Sequence, residues 1–197
     1  MSAFRVAAAA HRGQHRRSGD PVLRHCFETA LILSELGMDA AVVATGLLHD
    51  VLDDTAVGAG ELRRAAGEEV CGLVQGVSRL SLVSQMSRHS DRDLAAAEMQ
   101  SLRAMLIAMA DARVVIVKLA DRLHNLRTLH ALEPAKARRM AEESLAVYVP
   151  LASRLGIWGL KSKLEDACFG YLQPEEHARL SGALEEEAER AAITGRD

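Results

Sequence analysis

Apolar residues recur at three- and four-residue intervals along almost the whole chain, the period of helices that bury one face. The prolines sit at boundaries of this pattern, at Pro21, Pro134, Pro150 and Pro174. Ser18-Gly19-Asp20-Pro21 supplies a cap and a proline for the first helical position. It predicts a helix running to about Leu36, where Gly37 stops it. Asp39 caps the next helix, which carries Val42, Val43, Leu47 and Leu48 toward the core. Pro134 opens another in Glu133-Pro134-Ala135-Lys136, with Arg138 and Arg139 exposed. Pro150 lies inside a helical pattern and is expected to kink or divide it. Val114-Val115-Ile116-Val117 has the composition of a buried strand. Beyond it, Ile116, Leu119, Leu123 and Leu126 keep helical spacing, with Lys118, Asp121, Asn125 and Thr128 on the other side, so a helix is expected. The polar, serine-rich stretch from Ser81 to Asp93 reads as a mobile surface loop with His89 exposed. Glu185 to Asp197 reads as a charged helical tail that frays. The expected fold is all-α.

Composition narrows the function classes. A chain of 197 residues with 49% hydrophobic residues supports one sizeable core. A net charge of −3 argues against bulk nucleic-acid binding, and 3% aromatic residues argue against base-stacking platforms. Cys26, Cys71 and Cys168 are far apart and show no zinc-type spacing, so they read as buried or free thiols of a reducing compartment. No apolar run is long enough to span a bilayer, and the first residues lack a secretory pattern.

Leu47-Leu48-His49-Asp50-Val51-Leu52-Asp53-Asp54 carries the densest candidate chemistry. On one helix, His49 and Asp53 share a face, as do Asp50 and Asp54. So many carboxylates beside apolar surface are unfavourable without a cation. Asp121 and Asn125 share a face of a later helix, and His25 lies on an earlier one. Convergence of His25, His49, Asp50 and Asp121 would supply two nitrogens and two carboxylate oxygens, a set suited to Mn2+, Fe2+ or Zn2+ rather than Ca2+. Taken singly, these residues have plainer readings. Asp121 is equally served by Arg122 or Arg127, and His124 by packing or a hydrogen bond to an opposing helix. His11, His15, His130 and His177 read as surface residues. Arg12, Arg16, Arg17 and Lys118 are cations available to phosphate, or else a solvated helix end.

Taken together, the motifs are specific. His49-Asp50, with His25 before and Asp121 after, resembles the metal-binding pattern of the HD phosphohydrolases. More narrowly, residues 5 to 180 resemble the hydrolase domain of the RelA/SpoT homologues, the enzymes of the alarmone (p)ppGpp. The resemblance rests on His11-Arg12-Gly13-Gln14, Arg17-Ser18-Gly19-Asp20-Pro21, Leu47-Leu48-His49-Asp50, the run from Val117 to Thr128, and Pro150-Leu151-Ala152-Ser153-Arg154-Leu155-Gly156-Ile157. It implies a compact multi-helix bundle with a metal site between helices. It implies Mn2+ held by His25, His49, Asp50 and Asp121, with Asp53 and Asp54 acting on the attacking water. Arg16, Arg17 and Ser18 would hold the guanine nucleotide, with Asn125 and Thr128 facing its sugar and base. The implied reaction removes the 3′-pyrophosphate of (p)ppGpp, giving GDP or GTP.

The resemblance also has departures. Asp53-Asp54 stands where the family usually has Glu-Asp, a version shared with plant-type members; Asp is shorter by roughly 1 Å. Val22 replaces a usual aromatic, and Cys26 replaces the proline common after the first ligand histidine. Residues 1 to 180 are expected to form the hydrolase domain, with 181 to 197 a tail leading toward a synthetase domain, fused or separate. Bacterial members are cytosolic, and plant or algal members work in the plastid stroma after losing a transit peptide. The competing readings are an alarmone-sensing module without turnover and a phosphohydrolase of another nucleotide.

Overall fold

A computed structural model describes residues 3–88 and 111–194. Every regular element among them is helical; an isolated bridge joins His15 to Pro21. The chain divides into two compact units, Met1–Asn125 and Leu126–Asp197. No helix of the described residues is long and apolar enough to cross a membrane.

The first unit contains α1 (Ala3–Ala10), α2 (Val22–Glu35), α3 (Ala40–Leu48), the single turn α4 (Val51–Asp54), α5 (Ala59–Ala66), α6 (Glu68–Arg88) and most of α7 (Ala112–Arg127). Its core joins Ala7 of α1, Leu48 and Val51 on either side of the His49-Asp50 turn, Leu62 of α5, and Val70, Cys71 and Val74 of α6. Helix α2 ends as expected: Leu36 caps it and Gly37 turns left-handed at φ +70°. Asp39 caps α3 as expected, its carboxylate accepting from the Val42 N–H at 2.9 Å. Pro21, however, is the residue before the first turn of α2 rather than its first helical position, and no side chain caps that end.

Four further expectations change. The cluster His49–Asp54 is not one helix: α3 ends at Leu48, and His49-Asp50 forms the junction to α4. The stretch from Ser81 to Arg88 continues α6 instead of forming a loop, because Val70, Leu73, Val74 and Val77 anchor the same helix in the core. The remainder of that expectation, including His89, lies outside the described residues. Helix α7 buries more than its expected apolar stripe: Leu119, Leu123 and Leu126 are buried and Ile116 partly so, but Val114, Val115, Val117, Ala120, Asp121 and Arg122 are buried as well, while Lys118, Asp121 and Asn125 share one side as expected. His11 is buried rather than exposed, and its Nδ1 lies 2.7 Å from Gln14 Oε1. Gln14 Nε2 in turn donates to the Asp54 carbonyl at 2.8 Å, tying the end of α1 to α4.

The second unit contains a 3-10 turn (Leu129–Ala131), α8 (Pro134–Glu143), a π turn (Ser144–Tyr148), α9 (Val149–Arg154), α10 (Trp158–Leu172) and α11 (Pro174–Thr194). Pro134 occupies the first turn of α8 as expected. Pro150 divides its helix as expected, and the π turn ahead of it explains how. A proline ring clashes with the carbonyl four residues earlier, and the widened turn sends the Val149 N–H to the Ser144 carbonyl instead. Leu160, Leu164 and Cys168 line the buried side of α10. Cys26, Cys71 and Cys168 are all free and buried, in line with the sequence reading.

Gly46 sets the approach of α3 to α2. A Cβ there would stand 2.6 Å from Leu33 Cδ1 and 3.1 Å from the Ala30 Cα. Overpacking of this kind costs about 1–3 kcal/mol, more than the gain of about 1 kcal/mol from removing a helical glycine. Gly46→Ala is therefore expected to lower stability in urea unfolding. Gly72→Ala, in open space on α6, is expected to raise it by about 1 kcal/mol. Equal effects of the two substitutions would contradict this packing account.

Candidate metal centre

Four side chains from three places in the first unit meet at one point. His25 comes from α2, Asp121 from α7, and His49 and Asp50 from the junction of α3 and α4. His25 Nε2 lies 3.2 Å from His49 Nε2 and 3.2 Å from Asp121 Oδ1. His49 Nε2 is 3.1 Å from Asp50 Oδ1 and 3.8 Å from Asp121 Oδ1, and Asp50 Oδ2 is 3.6 Å from His25 Nε2. Neighbouring ligand atoms around one divalent ion, each at about 2.0–2.2 Å from it, stand roughly 3 Å apart. His25, His49 and Asp121 are buried, while the Asp50 side chain is 25% exposed and marks the open side.

Local structure explains the aim of each donor. His49 Nδ1 donates to the Gly46 carbonyl at 2.9 Å, which turns Nε2 toward the centre. His25 Nδ1 shares a hydrogen bond with His124 Nδ1 at 2.7 Å, leaving its own Nε2 facing Asp121. Asp121 is held from two further sides. Lys118 Nζ donates to its Oδ2 at 2.7 Å, and Asn125 Nδ2 donates to its Oδ1 at 2.7 Å. Lys118 also donates to Ser81 Oγ at 3.0 Å.

The electrostatics of the centre set burial against close opposite charge. Burial works against the charged form of Asp121, yet Lys118 and the two imidazoles hold its carboxyl well below the ordinary range. Burial likewise opposes ionisation of Asp50, but the His49 contact prevails and brings it down to about 2. Burial pushes His25 below its usual value, although Asp121 pulls the other way. Burial also disfavours protonated His49, but Asp50 and Asp121 outweigh it and raise its pKa well above the ordinary value. Two imidazole nitrogens and two carboxylate oxygens at these separations make a donor set that fits a divalent ion.

The two neighbouring acids separate. Asp53 Oδ1 accepts from Ser78 Oγ of α6, a partner that nothing in the sequence pattern marks. Asp54 is raised above its ordinary value by partial burial, then by the charges of Asp50 and Asp53. Of the expected nucleotide-holding residues, Arg16 donates to Asn125 Oδ1 and lies 3.3 Å from His124 Nδ1, beside the centre. Arg17 and Ser18 are exposed in the same loop, where Ser18 Oγ donates to Asp20 Oδ2 at 2.9 Å. Thr128 belongs to the second unit, at the start of its 3-10 turn. His124 bonds an opposing helix as expected, but its partner is His25 itself, a positioning role the sequence did not disclose.

An HD domain profile matches residues 3–158. A chloroplastic protein of Arabidopsis thaliana named probable GTP diphosphokinase RSH3 is 47% identical over 194 residues, covering 98% of this chain and 27% of that protein. A Synechocystis protein named probable guanosine-3′,5′-bis(diphosphate) 3′-pyrophosphohydrolase is 43% identical over 185 residues, covering 93% of this chain and 24% of that protein. The solved structure of a metazoan orthologue of SpoT, described as hydrolysing ppGpp, has a TM-score of 0.54 at 26% identity, covering 91% of this chain and 93% of that one. The chain belongs to the HD domain family and, within it, to the RelA/SpoT homologues. It spans about a quarter of the length of the curated relatives it matches.

Asp54 generates a stability prediction. Its carboxyl is raised above 3.8, so the ionised form destabilises the fold at neutral pH, and this penalty disappears once pH falls below 3.8. In the presence of a chelator, Asp54→Asn is expected to raise the thermal midpoint at pH 7. The gain should shrink as pH falls through the carboxylate range. A variant no more stable than wild type at pH 7 would contradict the assignment.

Proposed function

We propose that this chain is a Mn2+-dependent 3′-pyrophosphohydrolase of (p)ppGpp, with His25, His49, Asp50 and Asp121 as the metal ligands. The observation that carries this reading is the convergence of two imidazoles and two carboxylates on one point, with its open side at Asp50 and with Asp54 sensing the Asp50 charge. The mixed nitrogen and oxygen donors favour a borderline ion such as Mn2+ over Ca2+. When bound, such an ion lowers the pKa of water and polarises a phosphoryl oxygen.

The chain's own groups supply the rest. Asp54, its carboxyl raised above the ordinary value by partial burial and the neighbouring charges of Asp50 and Asp53, takes the proton of the attacking water. Asp53, held by Ser78, orients that water at a carboxylate length one methylene short of glutamate. Water adds to phosphorus, the bond to the 3′ oxygen breaks, and the 3′-hydroxyl leaves with a proton. Arg16, held by Asn125 beside His124, presents its guanidinium to the guanine nucleotide, and Arg17 and Ser18 extend that loop. Asn125, which accepts from Arg16, lies on the side offered to the sugar and base. The relatives named as pyrophosphohydrolase and as ppGpp-hydrolysing SpoT orthologue support this substrate. Relatives named for diphosphokinase activity support a synthetase partner, fused or separate. Chloroplastic and bacterial relatives support work in a plastid stroma or a bacterial cytosol.

Purified protein given Mn2+ and ppGpp is expected to release pyrophosphate and GDP. His49→Ala should abolish release, and Asp54→Asn should lower kcat by about 10²- to 10⁴-fold. Asp53→Glu, which restores the usual length, should retain turnover. Saturable ppGpp binding without pyrophosphate release in the wild type would favour an alarmone sensor. Turnover of other nucleotides with no release from ppGpp would favour a different phosphohydrolase.

A further inference from the structure

Two sets of ligating atoms share His49. One comprises His25, His49 and Asp121, and the other Cys26, His49 and Asp50; within each, the donor atoms lie within 4.8 Å of one another. Cys26 follows His25 on α2 and is fully buried. The thiol of Cys71, also buried, donates to the Ala59 carbonyl at 3.3 Å, but Cys26 has no such acceptor among the described residues. The neighbours of its sulfur are an imidazole and a half-buried carboxylate. A thiol, an imidazole and a carboxylate around one point make a different offer from two imidazoles and a carboxylate. Sulfur selects softer ions such as Zn2+, Co2+ and Cd2+, whereas nitrogen and oxygen donors alone accept Mn2+.

We propose that Cys26 gives this centre a second binding mode, in which a thiophilic divalent ion is held by Cys26, His49 and Asp50. The inference rests on the reading of this cluster as a metal centre and adds a ligand to it. Because His49 belongs to both sets, the two modes exclude each other, so one ion is bound at a time. On binding, the sulfur exchanges its proton for the ion, and the proton leaves to solvent. A tetrahedral zinc holds nitrogen at about 2.0 Å and sulfur at about 2.3 Å, which places its ligand atoms roughly 3.3–3.8 Å apart. The open side at Asp50 admits the ion.

The test is a Co2+ titration of the intact protein, followed by absorption. The visible ligand-field bands report that Co2+ is bound, and a near-ultraviolet sulfur-to-cobalt band reports a thiolate ligand. Wild type is expected to show both. Cys26→Ser should keep the visible bands and lose the sulfur band, while Cys71→Ser and Cys168→Ser should retain it. The ratio of Zn2+ to Mn2+ affinity should fall in Cys26→Ser by about tenfold or more. Should that variant fail to fold, cadmium NMR of the wild type reads thiolate ligation directly from the metal's chemical shift. Visible bands without a sulfur band in wild type would overturn the role of Cys26 and leave the metal centre standing. A sulfur band that persists in Cys26→Ser would do the same. Absence of both bands would overturn the metal centre itself.

Discussion

The first unit is organised around the burial of ionisable groups that water would otherwise solvate. His25, His49 and Asp121 are nearly inaccessible, and charge in such a place is tolerated only when opposite charge and hydrogen bonds meet it. Each donor is accordingly fixed by something behind it. Gly46 holds His49 through its carbonyl, His124 holds His25, and Lys118 and Asn125 hold Asp121. Lys118 meets one oxygen of Asp121, and the two imidazole nitrogens face the remaining carboxylate oxygens, so the donors that point inward are those a divalent ion would take.

Fold and chemistry meet at Gly46. Its missing side chain lets α3 lie close against α2, which is what brings His49 to His25. The same residue's carbonyl selects which nitrogen of His49 points inward. From that junction the chain turns into α4, and the tie from Gln14 to the Asp54 carbonyl fixes the turn that carries both acids. The acids then part company: Asp53 is anchored to α6 through Ser78, and Asp54 remains in the field of the centre. A shortened acid at position 53 thus gains from α6 a fixed orientation that its own length does not provide.

Much of this was legible in the sequence because helices announce themselves locally. Asp39, Gly37 and Pro134 each mark a helix end through their own backbone chemistry, and the His-Asp dipeptide with Asp121 and Asn125 marks the centre. Tertiary packing decided the rest. Polar residues after Ser81 suggested a loop, but the apolar residues preceding them commit the helix as far as Arg88. His11 looked like a surface histidine until α1 and Gln14 enclosed it. Ser78 and His124 carry no signal of their own, since a serine or histidine becomes a positioning group only through what folding places opposite it. Cys26 read as a mere departure from a family pattern, and its nearness to His49 and Asp50 follows from the close contact of α2 and α3.

The central claim is that His25, His49, Asp50 and Asp121 form one divalent-cation site. Metal stoichiometry after dialysis against Mn2+, measured by electron paramagnetic resonance alongside elemental analysis, tests it most directly. The account predicts one ion per chain in wild type and none in Asp121→Ala, with helical content unchanged. An unaltered ion count in that variant, or no bound ion in wild type, would contradict it.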